Sequence, residues 1–229
     1  MDIATVDRLL TTTRTVRRRL DLTRAVPASI VRKCIEIALQ APTAGGRQGW
    51  HFVVVTDASK KAAIADVYRK ARARYHAHPP SFYGVHRDTA EVEAHRRMRA
   101  SGDHLAERLQ DVPVLILACI EGRVERGSAF EQATLYGSIL PAAWSLMLSL
   151  RARGLGVAWT TDHLIHEDEV ARLLSIPASV TQAALLAVAY FTGTDFKPAE
   201  RRSASEVTHW NGWREGCVRS PGSPTTRPS

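Results

Sequence analysis

Two arginine clusters stand near opposite ends of the chain, Thr13-Arg14-Thr15-Val16-Arg17-Arg18-Arg19 and Glu200-Arg201-Arg202-Ser203. The first 24 residues carry six Arg against three Asp, and the stretch from Arg201 onward carries five Arg against two Glu. Each end therefore supplies three of the eight net positive charges. A guanidinium keeps its proton at physiological pH, and its planar fork grips two oxygens of a phosphate or carboxylate at once. Surplus charge at both ends of one domain points to one anion site built from both.

The other chemistry-bearing groupings are weaker. His76-x-His78 near His86 fits no usual zinc spacing, and no cysteine or carboxylate set completes it. Asp162-His163 with Ser138 lacks a nucleophile-elbow motif. No Gly-x-Gly-x-x-Gly opens a helix, so a Rossmann dinucleotide site is not indicated. The expectation is no metal and no assignable catalytic side chain.

The elements that must position these residues follow from periodicity. A short helix over Val6–Leu10 leads into the first cluster. Pro27 opens a helix whose stripe is Ile30, Val31, Cys34, Ile35, Ala38 and Leu39. Pro42 stops it, and Thr43-Ala44-Gly45-Gly46 forms a loop. A strand follows over His51–Thr56, then a helix capped at Asp57 that runs to about Tyr75. Residues 76–102 are less regular: Pro79-Pro80 and Ser81-Phe82-Tyr83-Gly84 lead into a charged helix-like stretch, with Tyr75, Phe82 and Tyr83 as candidate lid residues. Lid and plain surface insertion are equally open readings. Val112–Ile120 reads as a buried central strand. Phe130–Arg153 reads as a long helix, apolar on nearly all sides over Ile139–Leu150. That marks a core or a subunit interface. Gly154-Leu155-Gly156 ends it. Strands over Val157–Thr160 and Ala183–Phe191 flank a short helix over Glu167–Leu174. Strands and helices mix without strict alternation, as in an α+β layered domain.

Composition bounds the class. The chain has 229 residues, of which 45% are hydrophobic and 24% charged, ample for one core. Its three cysteines, Cys34, Cys119 and Cys217, are scattered, which fits a reducing cytoplasm better than a disulfide framework. No uninterrupted apolar run approaches the roughly 18–20 residues that span a bilayer. The start has no basic stretch leading into an apolar segment. The basic balance suits nucleotides, flavin phosphates or nucleic acid, but no nucleic-acid-reading motif is present. One domain over 1–216 with a disordered tail over 217–229 is the expected organisation.

Four segments, in order, resemble one family. Arg14-Thr15-Val16-Arg17 resembles the opening Arg-Ser-x-Arg of the nitroreductase family of flavin enzymes. Ala41-Pro42-Thr43-Ala44-Gly45-Gly46-Arg47-Gln48-Gly49-Trp50 is similar to its Ala-Pro-Ser-x-x-Asn-x-Gln-Pro-Trp. The helix through Ala142–Leu148 with Gly154-Leu155-Gly156 resembles its central helix and Gly-Leu-Gly turn. Arg201-Arg202 with Val207 and Trp210 resembles its closing segment. Gly46 and Gly49 depart from the family's Asn and Pro.

The resemblance implies a central mixed sheet covered by helices in an intertwined homodimer, with FMN at the interface. It implies that Arg14, Thr15, Arg17 and Arg201 hold the FMN phosphate. Pro42, Thr43 and Ala44 would lie along the ring edge, and Thr160 and Thr161 would face the ring. The implied activity is hydride transfer from NAD(P)H and reduction of a small organic acceptor, such as a nitroaromatic or quinone, by a ping-pong mechanism. A flavin-fragmenting 5,6-dimethylbenzimidazole synthase and a non-catalytic FMN-storage protein are the alternatives. A cytoplasmic protein with small-molecule substrates, and neither nucleic acid nor membrane as partner, is the corresponding expectation.

Overall fold

The computed structural model describes residues 2–78 and 89–213. Phe82, Tyr83, His86, Cys217 and the tail over 217–229 lie outside the described residues.

The elements run α1 (Ile3–Thr12), α2 (Ala28–Ala38), β1 (Trp50–Val55), α3 (Ala58–Ala77), α4 (Thr89–Arg108), β2 (Val114–Glu121), α5 (Ala129–Arg151), β3 (Leu155–Thr160), α6 (Glu167–Leu174), β4 (Val180–Tyr190) and α7 (Ala204–Val207). Local chemistry starts several of them. The Asp57 side chain accepts from the Lys60 amide at 2.8 Å at the start of α3. Ser128 and Glu131 form a reciprocal capping box on α5. Gly154, at φ 77°, lets the chain turn out of α5 into β3. The charged helix-like stretch before Gly102 is the regular helix α4, which runs past Gly102 to Arg108. Its high charge blurred its bounds, because much of the helix faces water.

The strands form one sheet in the order β1-β2-β4-β3. Every ladder between them is antiparallel, and parallel pairing is confined to the single bridges Thr15–Val157 and Gly122–Val180. Strand side chains alternate between faces. Leu115, Leu117, Cys119, Leu185 and Ala187 pack with Ile64, Tyr68, Leu105 and Leu109 of the α3/α4 layer. Val114, Ile116, Ala184, Leu186 and Val188 pack with α2 and α5 through Val31, Cys34, Leu146 and Leu150. The central strands β2 and β4 are buried on both faces, which is why they read as continuous apolar runs.

Among the described residues only α5 is long and apolar enough to cross a membrane, with mean hydropathy 1.3 over its best window. Counting uninterrupted apolar runs passed over it. Ile139, Ala142, Ala143, Leu146 and Leu150 are fully buried within the domain, so α5 packs as a core helix.

The arginine cluster after α1 lies along the outer edge of the sheet. The Val16 amide donates to the Val157 carbonyl at 2.8 Å, and the Asp21 amide to the Tyr190 carbonyl at 2.7 Å. A Cβ at Gly156 would stand 3.2 Å from Val16 Cβ and Cγ1 and from Leu20 Cδ2. Glycine there is what allows the segment to approach β3 so closely. Gly156→Val should destabilise the fold by about 1–3 kcal/mol through overpacking, despite the better strand propensity of valine. Denaturant unfolding measures it, and an unchanged midpoint would contradict this account.

Candidate functional site

Close pairing with β3 and β4 divides the arginines between two environments. On one side, Arg8 Nη2 meets Asp195 Oδ2 at 2.6 Å, and Arg151 pairs with the other oxygen of the same carboxylate. Arg19 Nε donates to the Thr192 carbonyl at 2.7 Å, and its Nη2 donates to the Thr194 carbonyl. Arg14 Nη2 donates to the Lys197 carbonyl. Phe196 sits among three guanidiniums, with Arg19, Arg151 and Arg14 at 4.2, 5.3 and 5.8 Å from its ring centroid. The two ends of the chain do meet here, but Asp195 is the anion that joins them. Hydrogen bonds from Arg8 and the Phe196 amide hold its carboxyl down at about 2.

On the other side lies Arg17. Its carbonyl accepts from the Leu20 amide at 3.3 Å, but among the described residues its guanidinium makes no hydrogen bond or ion pair. Burial pulls its pKa below the usual arginine value; the neighbouring charges that register on it are Tyr68, Arg72 and Asp162. Arg14 Nε is likewise buried and without a hydrogen-bond partner. Two guanidiniums thus have donors that the chain does not satisfy, on one segment seated by Gly156. Thr15 stands between them, bridged to Val157. Arg201 is exposed and bonds only the neighbouring Glu200 carbonyl at 3.1 Å. It lies four residues beyond Lys197, an extended reach of roughly 13 Å from the Arg14 contact. Arg202 pairs with Glu206 at 3.2 Å.

Beside Arg17, the end of β3 carries the second group of residues singled out by sequence. The Thr160 hydroxyl, in a residue only 7% exposed, lies 2.8 Å from the Tyr68 hydroxyl. Thr161 is exposed and opens a 3-10 turn over Asp162–His166. Tyr68 OH is 3.4 Å from Asp162 Oδ2, which Arg72 Nη1 holds at 3.0 Å. Burial, then the Asp162 charge, pushes the Tyr68 phenol up, so it stays protonated. Burial opposes the Arg72 charge, but hydrogen bonds to Asp103 and Asp162 outweigh it and raise its pKa. Sequence reading missed Tyr68, Arg72 and Asp162 as a set. The signal available was a charged residue four positions after Tyr68, next to the stripe Ile64, Ala65, Tyr68 and Ala71.

The third group lies on the opposite side of the molecule, against α5. Pro42, Thr43 and Ala44 line a hollow of about 240 Å³ with Ala133, Thr134, Gly137 and Ser138. Ser138 anchors the loop: its hydroxyl accepts from the Ala44 amide at 3.1 Å, and its carbonyl accepts from Trp50 Nε1 at 2.9 Å. Gly45 and Gly46 adopt φ 60° and 68°, the left-handed region where glycine costs nothing. The hollow opens beside the exposed α5 residues Ala133, Gly137, Leu140 and Trp144, spaced along one helix face.

A larger cavity, about 530 Å³, lies beneath α6 and holds none of the residues selected from sequence. Its wall includes Val53, Leu174, Ile176 and Val180, with the His51–Glu121 pair among its lining residues. Cys119 also lines it, but burial pushes that thiol up to about 12, which makes it inert at neutral pH. Ser138 and His163 do not meet as a catalytic pair: Ser138 bonds Ala44, Trp50 and Thr134, while neither His163 ring nitrogen has a hydrogen-bond partner. His76 bonds Asp103 at 2.7 Å and Arg99 at 2.7 Å. Among the described residues no group of three or more metal-ligating side chains converges.

A four-stranded antiparallel sheet between helical layers, with guanidinium donors along one edge that the chain does not satisfy, defines an α+β protein. The chain belongs to the nitroreductase family, whose profile matches residues 10–190. It is 26% identical over 164 residues to the 5,6-dimethylbenzimidazole synthase of Rhodospirillum rubrum, covering 70% of each chain. In structure it is similar to oxidized iodotyrosine deiodinase bound to FMN and 3-iodo-L-tyrosine (TM-score 0.68, 22% identity, 90% of this chain and 98% of that one). It is also similar to a variant of NfnB, an FMN and NADPH-dependent nitroreductase from sphigopyxis sp. strain HMH (TM-score 0.68, 18% identity, 90% and 99%).

His163 supplies a pH test. Burial pushes its pKa down from 6.5 to about 3, so the folded protein holds it neutral while the unfolded chain protonates it first. The unfolded state then binds more protons, so this contribution is intact above about pH 6.5 and is lost as pH falls toward 3. His163→Leu should flatten the acid side of the melting-temperature profile in that window. An identical slope in wild type and variant would contradict this.

Proposed function

We propose that the chain is an FMN-dependent oxidoreductase that takes a hydride from NAD(P)H and passes electrons to a small organic acceptor. The observation that carries this reading is the pair of unsatisfied guanidiniums, Arg14 and Arg17, in a chain of the nitroreductase family. The residues fit the group. Arg14 and Thr15, with Arg201 within reach, suit the phosphate. Arg17, about 10 Å further along an extended segment and beside Thr160, suits the ring end of the same molecule as well as its phosphate.

When bound, FMN supplies the hydride acceptor and the electron relay. The chain's part is to bind, orient and shield. Arg14 and Arg17 neutralise negative charge where water is scarce. Thr160 and Thr161 present hydroxyl and backbone groups at the end of β3. Pro42, Thr43 and Ala44 would close the ring edge from a second copy of the chain, since in one copy they lie on the opposite side of the sheet from Arg17. The stripe Leu140 and Trp144, 37% and 39% exposed on α5, would then be covered in a homodimer.

A benzimidazole synthase is the second reading, favoured by the identity to the Rhodospirillum rubrum enzyme. The absorption spectrum of the purified protein separates these readings. A flavin band bleached by NADH or NADPH and restored by a nitroaromatic or quinone is the expected result. Loss of the flavin itself under oxygen would favour the synthase, and a protein that takes up no FMN would refute both.

Arg14→Ala and Arg17→Ala should each weaken FMN retention by roughly 1.5–3 kcal/mol, the scale of a charge-assisted hydrogen bond. Flavin titration measures this, and two fully loaded variants would remove the assignment. Trp144→Glu should shift the protein toward monomer in sedimentation and lower its flavin content. An unchanged mass would place the interface elsewhere.

A further inference from the structure

Arg72 is gripped from three directions. Its Nη1 bonds Asp162 at 3.0 Å, its Nε bonds Asp103 at 3.0 Å, and its Nη2 donates to the Arg99 carbonyl at 3.0 Å. The last two partners belong to α4, which approaches because residue 102 is glycine. A Cβ at Gly102 would stand 2.4 Å from Arg72 Nη2 and 2.7 Å from Cζ. The guanidinium therefore lies flat against the α4 backbone, 12% exposed.

This grip governs the one proton shared between Tyr68 and its two acceptors. Tyr68 OH lies 2.8 Å from Thr160 Oγ1 and 3.4 Å from Asp162 Oδ2. A phenol donating to a free carboxylate settles at about 2.5–2.7 Å, so 3.4 Å marks a weak contact. Arg72 occupies the same Oδ2 and spends its charge. Either hydroxyl can donate across the 2.8 Å contact; with Oδ2 already taken by Arg72, the Tyr68 proton is assigned to Thr160, whose oxygen also lies 3.4 Å from the Asp162 amide. With the Tyr68 proton on its oxygen, the Thr160 hydroxyl is left to donate its own proton elsewhere.

We propose that Arg72 is a positioning residue: by holding Asp162 off Tyr68, it leaves the Thr160 hydroxyl as a donor toward the ring of the bound flavin. This rests on the FMN reading above, with Thr160 facing the ring. A donor at that place stabilises the negative charge gained on reduction. If Arg72 is displaced, the Asp162 carboxylate recaptures the Tyr68 proton. Thr160 must then donate to the Tyr68 oxygen and is lost to the flavin. Lysine at 72 keeps the charge but not a fork that serves three partners at once.

The test uses FMN-loaded Arg72→Lys, Gly102→Ala, Thr160→Val and the double variant Arg72→Lys/Thr160→Val. Two readouts are taken: the rate of flavin reduction by NADH or NADPH, and the reduction potential of the bound flavin. Each single variant should slow reduction about tenfold, the loss of one hydrogen bond in the transition state, and lower the potential. The double variant should be no worse than Thr160→Val, because both changes remove the same donor. Losses that multiply, or an Arg72→Lys protein with unchanged rate and potential, overturn the proposal. Gly102→Ala guards against misfolding, since it moves Arg72 without removing it. A wild type that holds no FMN, or is not bleached, overturns the oxidoreductase reading and this proposal together. A loaded, bleachable wild type with multiplying losses overturns this proposal alone.

Discussion

A guanidinium cannot shed its proton, so each arginine drawn partly out of water must meet an anion, a carbonyl or an aromatic face. Much of this molecule is arranged around that constraint. Asp195 is gripped by Arg8 and Arg151, Phe196 is flanked by Arg14, Arg19 and Arg151, and the carbonyls of Thr192, Thr194 and Lys197 take further donors. These contacts fasten the chain after β4 to the chain after α1. The internal partners run out at the Arg17 guanidinium and at the Arg14 Nε, the unmet demand on which the proposed FMN reading rests.

The same constraint explains why the sheet edge matters more than either cavity. The segment from Arg14 to Leu20 reaches β3 because Gly156 has no side chain. That approach sets Arg17 near Tyr68, Arg72 and Asp162, whereas the larger cavity beneath α6 is mostly apolar and holds no unpaired cation. The FMN reading proposed above follows desolvated charge rather than volume, because an ion pair strengthens as water is excluded.

Much of the fold was legible along the chain. Pro27, Asp57 and Gly154 mark element boundaries by local chemistry, and β2 and β4 declare themselves by unbroken apolar runs. The helix α4 was legible as a charged helical stretch but not in its bounds, since its charge is spread over most of its surface. Arg14, Arg17 and Thr160 were singled out by the motifs that carry the family resemblance. Tyr68, Arg72 and Asp162 were not, because their meaning lies in contacts between α3 and the end of β3.

By itself the sequence determined the supply of charge, the order of elements and the family, since these depend on residue type and near-neighbour spacing. It could not apportion the arginines. Arg17, Arg18 and Arg19 are consecutive, yet one faces Tyr68 and Arg72, one stays in solvent and one bonds the turn after β4. The three sit where the chain turns, the Leu20 amide donating back to the Arg17 carbonyl at 3.3 Å, so their side chains diverge, and the carbonyls that hold Arg19 come from more than 170 residues away. Only the folded sheet edge brings those distant groups within bonding distance. The tertiary structure therefore decided which cation is already satisfied and which is left to bind.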